Sequence, residues 1–324
     1  MISRTRTLSA IGTPGGRQDP TVRACGTHSP DQRTPPGASP EGRRFKAAVL
    51  DRTLRKPHTD GVRYAERDGA ASSVLGRSFA LLSCFEGHEG EIRLSELSRR
   101  TGMPKATAHR LLQSLIQFGA VEREGNGYRI GIRLYELGQL SQQAQTLRAT
   151  ALPMLTRLHS ATHATVHLAV LEQTEVVYLD KLIGPMGPRI PSRLGGRMPA
   201  YCTALGKVML AHSGPETVQA VIDGGMQRRA PRTIVLPSSL VREFPAVRKT
   251  GIAYEWEESA VGVVCAAAAV LDSAGKPLAA ISVSGLGNQI DPHHIGPTVR
   301  SAALSLARSL AVEAPTAGIS NSSN

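Results

Sequence analysis

Apolar residues recur at spacings of three and four where a regular pattern first appears along the chain. Leu75, Phe79, Leu82 and Phe85 follow this spacing, which predicts one buried face of a helix that starts near Ser73. The stretch GHEGE then interrupts the pattern. The first ordered element is therefore predicted to be a helix that ends before this break.

A second, shorter helix is predicted directly after the break. Ser95 suits the N-cap of this helix, and Glu96 suits its first turn beside the positive helix end. Gly102 suits the left-handed position that ends the helix. Pro104 then fits the first position of a third helix.

The third helix has two unlike faces, and a hairpin signal follows it. At 100° per residue, its apolar side chains share an arc of about 140°, whereas the other side is hydrogen-bonding and basic. The next run, AVEREGNGYRIG, contains two short extended segments around Asn126-Gly127, a strong hairpin-turn signal. Three helices followed by a hairpin predict a winged helix-turn-helix. The residues on the apolar arc are Ala108, Leu111, Leu112, Leu115 and Ile116.

The polar face of the third helix is a candidate for binding DNA. In a helix-turn-helix, the N-terminal half of the second helix of the motif enters the major groove, where Arg or Lys reads guanine or neutralises phosphates. A module that contacts proteins, or simply a solvated face, is the alternative, and for Arg129 a plain surface charge is nearly as well supported. The predicted DNA-binding residues are Lys105, Ala106, Thr107, His109, Arg110 and Gln113 on the helix, with Arg123 and Arg129 on the hairpin.

Beyond the hairpin, residues 132–159 are predicted to be largely helical, and a second domain follows them. In that domain, alternating runs at 164–171 and 175–183 predict a hairpin, and residues 184–199 read as a loop. Strands at both ends with helices between them favour an antiparallel α+β sheet. The predicted helices cover 203–212, 215–223, 238–251 and the C-terminal run VRSAALSLARSLAVEA; the later strands are GIAYEWEE, GVVCAAAAVLD and KPLAAISVSG.

Composition separates the termini from the ordered parts. Residues 1–70 hold 13 of the 38 Lys and Arg but only 7 of the 26 Asp and Glu, and so carry half of the formal net charge of +12. They are rich in Gly, Pro, Ser and Thr without apolar periodicity, which is typical of disorder. A misassigned translation start and a tail that attracts nucleic acid are the alternatives. We predict a disordered basic tail over 1–70 and a second disordered tail over 314–324.

Cysteine usage and hydropathy indicate a cytoplasmic protein. The four cysteines are isolated, without CxxC pairs or zinc-finger histidines, which favours reduced thiols over disulfides or a metal site. The N-terminus lacks a signal-peptide apolar run, and no stretch approaches the length of a membrane span. The cysteines are Cys25, Cys84, Cys202 and Cys265.

Motifs for catalysis or cofactor binding are weak. Gly206-Lys207 lacks the other residues of a P-loop, and no GxSxG occurs. His293-His294 has no carboxylate at metal-ligand spacing, so a surface or capping role is favoured. Cys202 and Cys265 show no local base and suit core or pocket-lining positions. We expect no catalytic residues, no metal and no cofactor.

Long blocks of the chain resemble the IclR family of transcriptional regulators between about Ser73 and Ala311. The N-terminal blocks are SELSRRTGMPKATAHRLLQSLIQFGAVER and GYRIGIRLYELG. The C-terminal blocks are RMPAYCTALGKVMLA, RTIVLPSSLVREFPAVRKTGIAYEWEES, GVVCAAAAVLD and AAISVSG. The resemblance implies a winged helix over 71–132, a linker helix over 133–160 and a GAF-like effector-binding domain over 161–313.

The same resemblance implies homodimers or dimers of dimers that bind operator DNA and a small organic acid. Ser282 and Ser284 alternate with apolar residues, so both hydroxyls face one side of a strand, where they could hold a ligand or bond within the core. The residues that the resemblance places in the effector pocket are Thr203, Ala204, Leu205, Glu255, Cys265, Ser282 and Ser284.

Three positions depart from the family pattern. Glu255 stands where the family commonly has Asp, Ala106 replaces a frequent Ser, and Pro245 interrupts a helix that usually lacks proline. The chain is accordingly predicted to be a ligand-responsive regulator of a catabolic or small-metabolite pathway, with repression favoured over activation. The alternative is an enzyme or metabolite-binding protein that acts on a small acid and keeps a vestigial winged helix.

Overall fold

The computed structural model describes residues 73–184 and 192–313 of the chain. The tails predicted for 1–70 and 314–324 lie outside the described residues.

A compact winged helix-turn-helix opens the described part, as predicted. Its core gathers side chains from every helix and from the hairpin, among them Leu81, Leu97, Leu112, Val121 and Tyr128, all almost fully buried. Burial of this cluster holds α2 and α3 at a fixed angle and leaves the polar face of α3 outside. The elements are α1 Val74–Ser83, α2 Leu94–Thr101, α3 Lys105–Gln117, β1 Val121–Glu124 and β2 Gly127–Ile130.

The buried face predicted for α1 is wrong in its first half. Leu75 and Phe79 are 67% and 57% exposed, whereas Leu81, which the spacing did not select, is fully buried. Phe85, just beyond the helix, is buried as predicted. The core lies against the C-terminal end of α1, so the spacing located apolar positions without showing which of them this chain covers itself.

The helix ends agree with the prediction at one end of α2 and not at the other. Gly102 follows α2 in the left-handed conformation, with φ of 69°, as predicted. The helix starts at Leu94 with Arg93 as its N-cap, so Ser95 lies inside the first turn and the predicted cap is wrong. The Ser95 side chain therefore does not mark the start of this helix.

The tip of the hairpin is shifted by one residue from the predicted turn. Gly127 pairs with Glu124, which leaves Gly125 and Asn126 as the two-residue loop. Gly125 supplies the positive φ, 51°, that such a tight loop requires. The Asn-Gly signal therefore marked the hairpin but not its loop residues.

Two helices, rather than one, connect the winged helix to the sheet. The first, α4, spans Ile132–Gly138, and the second, α5, spans Gln142–Thr162. Gly138 ends α4, in line with the predicted interruption, while α5 continues through Pro153. The boundaries of the linker at 133 and 160 remain a prediction.

The C-terminal part contains a six-stranded antiparallel sheet in the order β5-β4-β3-β8-β7-β6, so the α+β class is confirmed. Part of the stretch read as a loop over 184–199 forms β5, because Arg197–Pro199 pairs with the edge of β4. The strands are β3 Thr165–Glu172, β4 Glu175–Leu182, β5 Arg197–Pro199, β6 Ala253–Trp256, β7 Val263–Leu271 and β8 Pro277–Leu286. A 3₁₀ turn covers Ala200–Cys202, and the helices are α6 Ala204–Leu210, α7 Pro215–Asp223, α8 Pro237–Thr250 and α9 Pro292–Glu313.

The two faces of this sheet have different partners. Ile281 and Val283 of β8 pack in a cluster with side chains of α5 and α9 on one face. Ser282 and Ser284 point to the opposite face, towards α6, as their alternation predicted. No helix in the described residues is long and apolar enough to cross a membrane.

Candidate functional sites

A cavity lies between the inner face of the sheet and the start of α6, with about 310 Å³ of space between its atoms. All seven residues predicted for the pocket line it: Thr203, Ala204, Leu205, Glu255, Cys265, Ser282 and Ser284. Six others that the sequence did not single out complete the lining, namely His167, Tyr178, Ser192, Met198, Ser259 and Val263.

Strand pairing brings the missed His167 into the cavity. In the antiparallel register of β3 and β8, His167 lies opposite Ser282, and Thr165 lies opposite Ser284. His167 Nδ1 is 3.3 Å from Ser282 Oγ, and its Nε2 is 2.8 Å from Ser192 Oγ. The alternation of β3 could have indicated an inward-facing His167, but its opposite residue depends on a pairing more than a hundred positions away.

The imidazole of His167 is neutral at physiological pH. Burial lowers the pKa of His167 to about 3, and the positive charge of Lys181 lowers it further in the same direction. Lys181 Nζ donates a hydrogen bond to the Ser192 carbonyl oxygen at 2.6 Å. His167 therefore offers hydrogen bonds to the cavity wall but no positive charge.

The start of α6 is fixed by a cap and by a glycine. Thr203 is the N-cap, and its Oγ1 accepts the Gly206 amide at 3.0 Å. A Cβ on Gly206 would lie only 2.1 Å from the Ala200 carbonyl oxygen, so only glycine allows this close approach. Ala204 and Leu205 reach the cavity because of this packing.

Cys265 lines the cavity as a protonated thiol. Burial raises the pKa of Cys265 to about 12, with the nearby Glu255 carboxyl acting in the same direction. Ser284 Oγ donates to Cys265 Sγ at 3.0 Å. Because the thiolate is the nucleophilic form, this cysteine is suited to lining a pocket rather than to attacking a substrate.

Glu255 is the carboxyl group of the cavity. Its Oε1 accepts hydrogen bonds from both the amide and the hydroxyl of Ser259, with the amide at 3.0 Å. Oε2 has no hydrogen-bond partner in the part of the chain that the structure describes. Burial raises the pKa of Glu255 to about 7, although the Ser259 bonds oppose this shift.

A buried cluster of one lysine and two glutamates involves residues that neighbour the cavity lining in the sequence. Lys207 on α6 is 1% exposed, and its Nζ lies 2.6 Å from Glu258 Oε1 and 2.9 Å from Glu243 Oε2. Burial opposes the charged ammonium, but the two carboxylates outweigh it, and the pKa of Lys207 is raised. The cluster joins α6 to α8 and to the loop after β6, immediately beside Ser259.

The paired histidines at the start of α9 make aromatic contacts. The His293 ring centroid lies 4.3 Å from that of Tyr254 and 5.5 Å from that of Trp256. Within residues 73–184 and 192–313, no group of three or more His, Cys, Asp or Glu side chains could hold a metal ion. His293 thus helps to pack α9 against β6.

The predicted recognition face of α3 is accessible. Lys105, Ala106, His109 and Arg110 are exposed, while Thr107 is half-buried. The sixth predicted residue, Gln113, is also half-buried, and its Nε2 lies 3.3 Å from His109 Nε2. No ion pair in the described residues involves Lys105 or Arg110. Both cations are therefore free to meet an anionic partner.

The two arginines of the hairpin differ in their surroundings. Arg129 lies between two carboxylates, 2.9 Å from Glu122 Oε2 and 3.0 Å from Glu124 Oε1. The cross-strand register of β1 and β2, which pairs Glu122 with Arg129, accounts for this contact. Arg123 is exposed, with its guanidinium 5.9 Å from the centre of the Tyr128 ring.

Large apolar side chains are exposed on the winged helix and on α4. Those on α1 are Val74, Leu75 and Phe79, each more than half exposed. A second group consists of Phe118, Ile132, Tyr135, Leu137 and Leu140. Exposed apolar surface of this extent often marks a protein–protein contact.

Both the helix-turn-helix part and the C-terminal part of the chain match known families and proteins. Residues 74–125 match the model of the IclR helix-turn-helix domain, and residues 139–311 match that of the bacterial transcriptional regulator IclR C-terminal domain. The chain is 32% identical to the transcriptional repressor IclR of Escherichia coli over 236 residues, which cover 71% of this chain and 85% of the relative. It is 35% identical to the transcriptional regulator KdgR of the same organism over 218 residues, covering 66% and 82% of the two chains.

Solved structures agree. An IclR homolog from Microbacterium hydrocarbonoxydans, complexed with 4-hydroxybenzoate, matches with a TM-score of 0.68 and 29% identity, covering 74% of this chain and all of the other. The Thermotoga maritima IclR matches with a TM-score of 0.60 and 28% identity, covering 73% and 98% of the two chains.

Proposed function

The chain belongs to the IclR family of transcriptional regulators, and we propose that a small organic acid bound in its cavity controls its affinity for operator DNA. One observation carries this proposal: a hydroxyl-lined cavity and an exposed basic recognition helix occur in the same chain. The regulated genes belong to a catabolic or small-metabolite pathway in this account. Repression is favoured over activation, because one similar relative is a transcriptional repressor.

The acid class of the effector is supported by the lining of the cavity and by a similar protein. The hydroxyls, the thiol and the apolar groups that line the cavity suit a small polar organic molecule. The similar Microbacterium protein holds 4-hydroxybenzoate, an aromatic acid. A short or aromatic acid is therefore the effector that we propose.

Arg110→Ala is expected to weaken operator binding by about 1–3 kcal/mol, because an exposed arginine on the recognition helix can bond guanine with two hydrogen bonds. Arg129→Ala is the matched control on the hairpin. We expect it to have the smaller effect, since Glu122 and Glu124 already neutralise its charge. Fluorescence anisotropy with DNA that flanks the gene would measure both. Equal losses for the two variants would contradict the assignment of α3 as the reading helix.

A homodimer, alone or paired into a dimer of dimers, is the proposed form on DNA. Two recognition helices related by two-fold symmetry would read a palindromic operator. The exposed apolar residues of α1 are the proposed contact between the copies. Such a contact would also explain why Leu75 and Phe79 follow a buried-face spacing while this chain leaves them exposed.

Phe79→Glu is expected to shift the protein towards monomers, because a charge in an apolar contact is costly to bury. Leu236→Glu is the control, since Leu236 is equally exposed but lies just before α8. Sedimentation velocity at several concentrations would compare the two variants. An unchanged dimer for Phe79→Glu would place the contact elsewhere.

An enzymatic role gains no support from the cavity. His167 meets Ser282, but its other nitrogen meets Ser192 rather than a carboxylate, and its lowered pKa makes it a poor base. The matched domain models and the relatives described above are transcription regulators.

A further inference from the structure

The described lining of the cavity contains a carboxyl group but no cation to balance a second negative charge. Glu255 is buried and lines the cavity, and its Oε2 makes no hydrogen bond within the described residues. No Lys or Arg is among the described residues that line this space. An acid effector that enters as an anion would therefore share the cavity with the Glu255 carboxyl group and, above pH 7, with its ionised form.

The nearest positive charges lie outside the described lining of the cavity. Lys181 Nζ donates to the Ser192 carbonyl at 2.6 Å, and Lys207 Nζ lies between Glu258 and Glu243. Arg229, whose charge acts on Tyr201 and Cys202, is also outside the described lining. The titratable groups around the cavity are His167 on β3, Tyr178 on β4, Cys202 in the 3₁₀ turn, Cys265 on β7 and Glu258 in the loop after β6, and none of these five carries a positive charge.

Two carboxylates in one enclosed site cannot both stay ionised without a compensating charge. The electrostatic cost is removed when one proton lies between them, as in paired carboxyl groups that share a site. Oε1 of Glu255 is held by Ser259, so Oε2 is the atom left to carry or share that proton.

We propose that the cavity takes up one proton from solvent together with its acid effector, and that this proton is shared between the effector carboxylate and Oε2 of Glu255. The inference rests on the proposed acid effector. It makes the regulator a joint sensor of the acid and of pH. Effector affinity falls as pH rises, because the free protein must then regain a proton to bind.

The size of the effect follows from the titration of Glu255 in the free protein. With a pKa of about 7, most of the protein holds this proton at pH 6 and little of it does at pH 8. Simple linkage then gives an affinity about tenfold weaker at pH 8 than at pH 6. Proton uptake per bound acid is about 0.1 at pH 6 and about 0.9 at pH 8.

Isothermal titration calorimetry of the full chain tests this with pyruvate, benzoate and 4-hydroxybenzoate as probes. Titrations at both pH values, each in two buffers of different ionisation enthalpy, report the number of protons taken up without any mutation. The amides of the same acids are matched controls that carry no charge, and their affinity should not fall with rising pH.

Glu255→Gln keeps the shape of the side chain and cannot ionise. We expect this variant to bind the acids with the same affinity at pH 6 and pH 8 and with no proton uptake. Glu243→Gln, which removes a carboxyl group next to Lys207 but outside the cavity, should retain the tenfold pH dependence.

The possible failures separate the two proposals. Binding of an acid with equal affinity at both pH values and without proton uptake would overturn the shared proton alone. Failure of all three acids to bind at pH 6 would overturn the acid effector, and the shared proton with it.

Discussion

Lys207→Met is expected to lower the free energy of unfolding by about 3–5 kcal/mol, the usual cost of breaking a buried ion pair from one side. The methionine has nearly the length of lysine but leaves Glu258, which is 5% exposed, without its counter-ion. Glu258 Oε2 already has no hydrogen-bond partner within the described residues. Urea unfolding monitored by circular dichroism would measure the loss.

Two controls separate the charge from the packing. Lys249→Met removes an exposed lysine at the end of α8 and should change stability little. The double variant Lys207→Met/Glu258→Gln should regain part of the loss, because no uncompensated carboxylate remains. A double variant as unstable as the sum of the two single changes would show that packing, not charge, sets the effect.

Glu255→Gln is expected to make the protein less sensitive to alkaline pH. Burial raises the pKa of Glu255 from 4.5 to about 7, so the folded state binds this proton more tightly than the unfolded state. The contribution to stability is therefore complete below pH 4.5 and is lost as pH rises through about 7. At 1.36 kcal/mol per pKa unit, the loss amounts to about 3 kcal/mol.

The measurement compares urea unfolding of the wild type and of Glu255→Gln at pH 5 and pH 8. The stability of the variant relative to the wild type should rise by about 2.5 kcal/mol between these pH values, since glutamine does not titrate. A difference that stays constant with pH would mean that Glu255 keeps an ordinary pKa. That result would also remove the basis for a proton shared with the effector.

The sequence predicted most elements of the sheet because alternation and turn residues are local signals. The hairpin of β3 and β4 and the strands β6, β7 and β8 appear where these signals placed them. The strand β5 was not predicted, because only three residues pair there, inside a stretch rich in Gly and Pro. Its pairing with β4 is a long-range contact that no local pattern shows.

The residues that line the cavity also divide into those that were predicted and those that were not. The seven that the resemblance supplied meet in one place, whereas His167, Tyr178 and Ser192 were not predicted. They come from strands and a loop that reach the cavity through the sheet order, which the local pattern does not determine. Lys207 was missed for another reason: a lysine in an amphipathic context reads as a surface residue unless its buried carboxylate partners are known.

The winged helix shows what the spacing of apolar residues cannot predict by itself. The spacing of Leu75 and Phe79 indicates a covered face, but a single chain does not reveal whether a core or a second copy covers it. The hairpin shows another limit, since the neutralising contacts of Arg129 depend on cross-strand register.

The central claim is that an acid in the cavity controls DNA binding by the recognition helix. Fluorescence anisotropy with the DNA flanking the gene tests it, in the absence and presence of pyruvate, benzoate and 4-hydroxybenzoate at pH 6. The account predicts that at least one acid changes the affinity of the wild type by about 5–150-fold. It also predicts that Ser282→Ala binds the free DNA normally without this response, while Ser273→Ala, altered in the turn between β7 and β8, keeps it. DNA affinity that no acid changes, or a response that persists in Ser282→Ala, would contradict the claim.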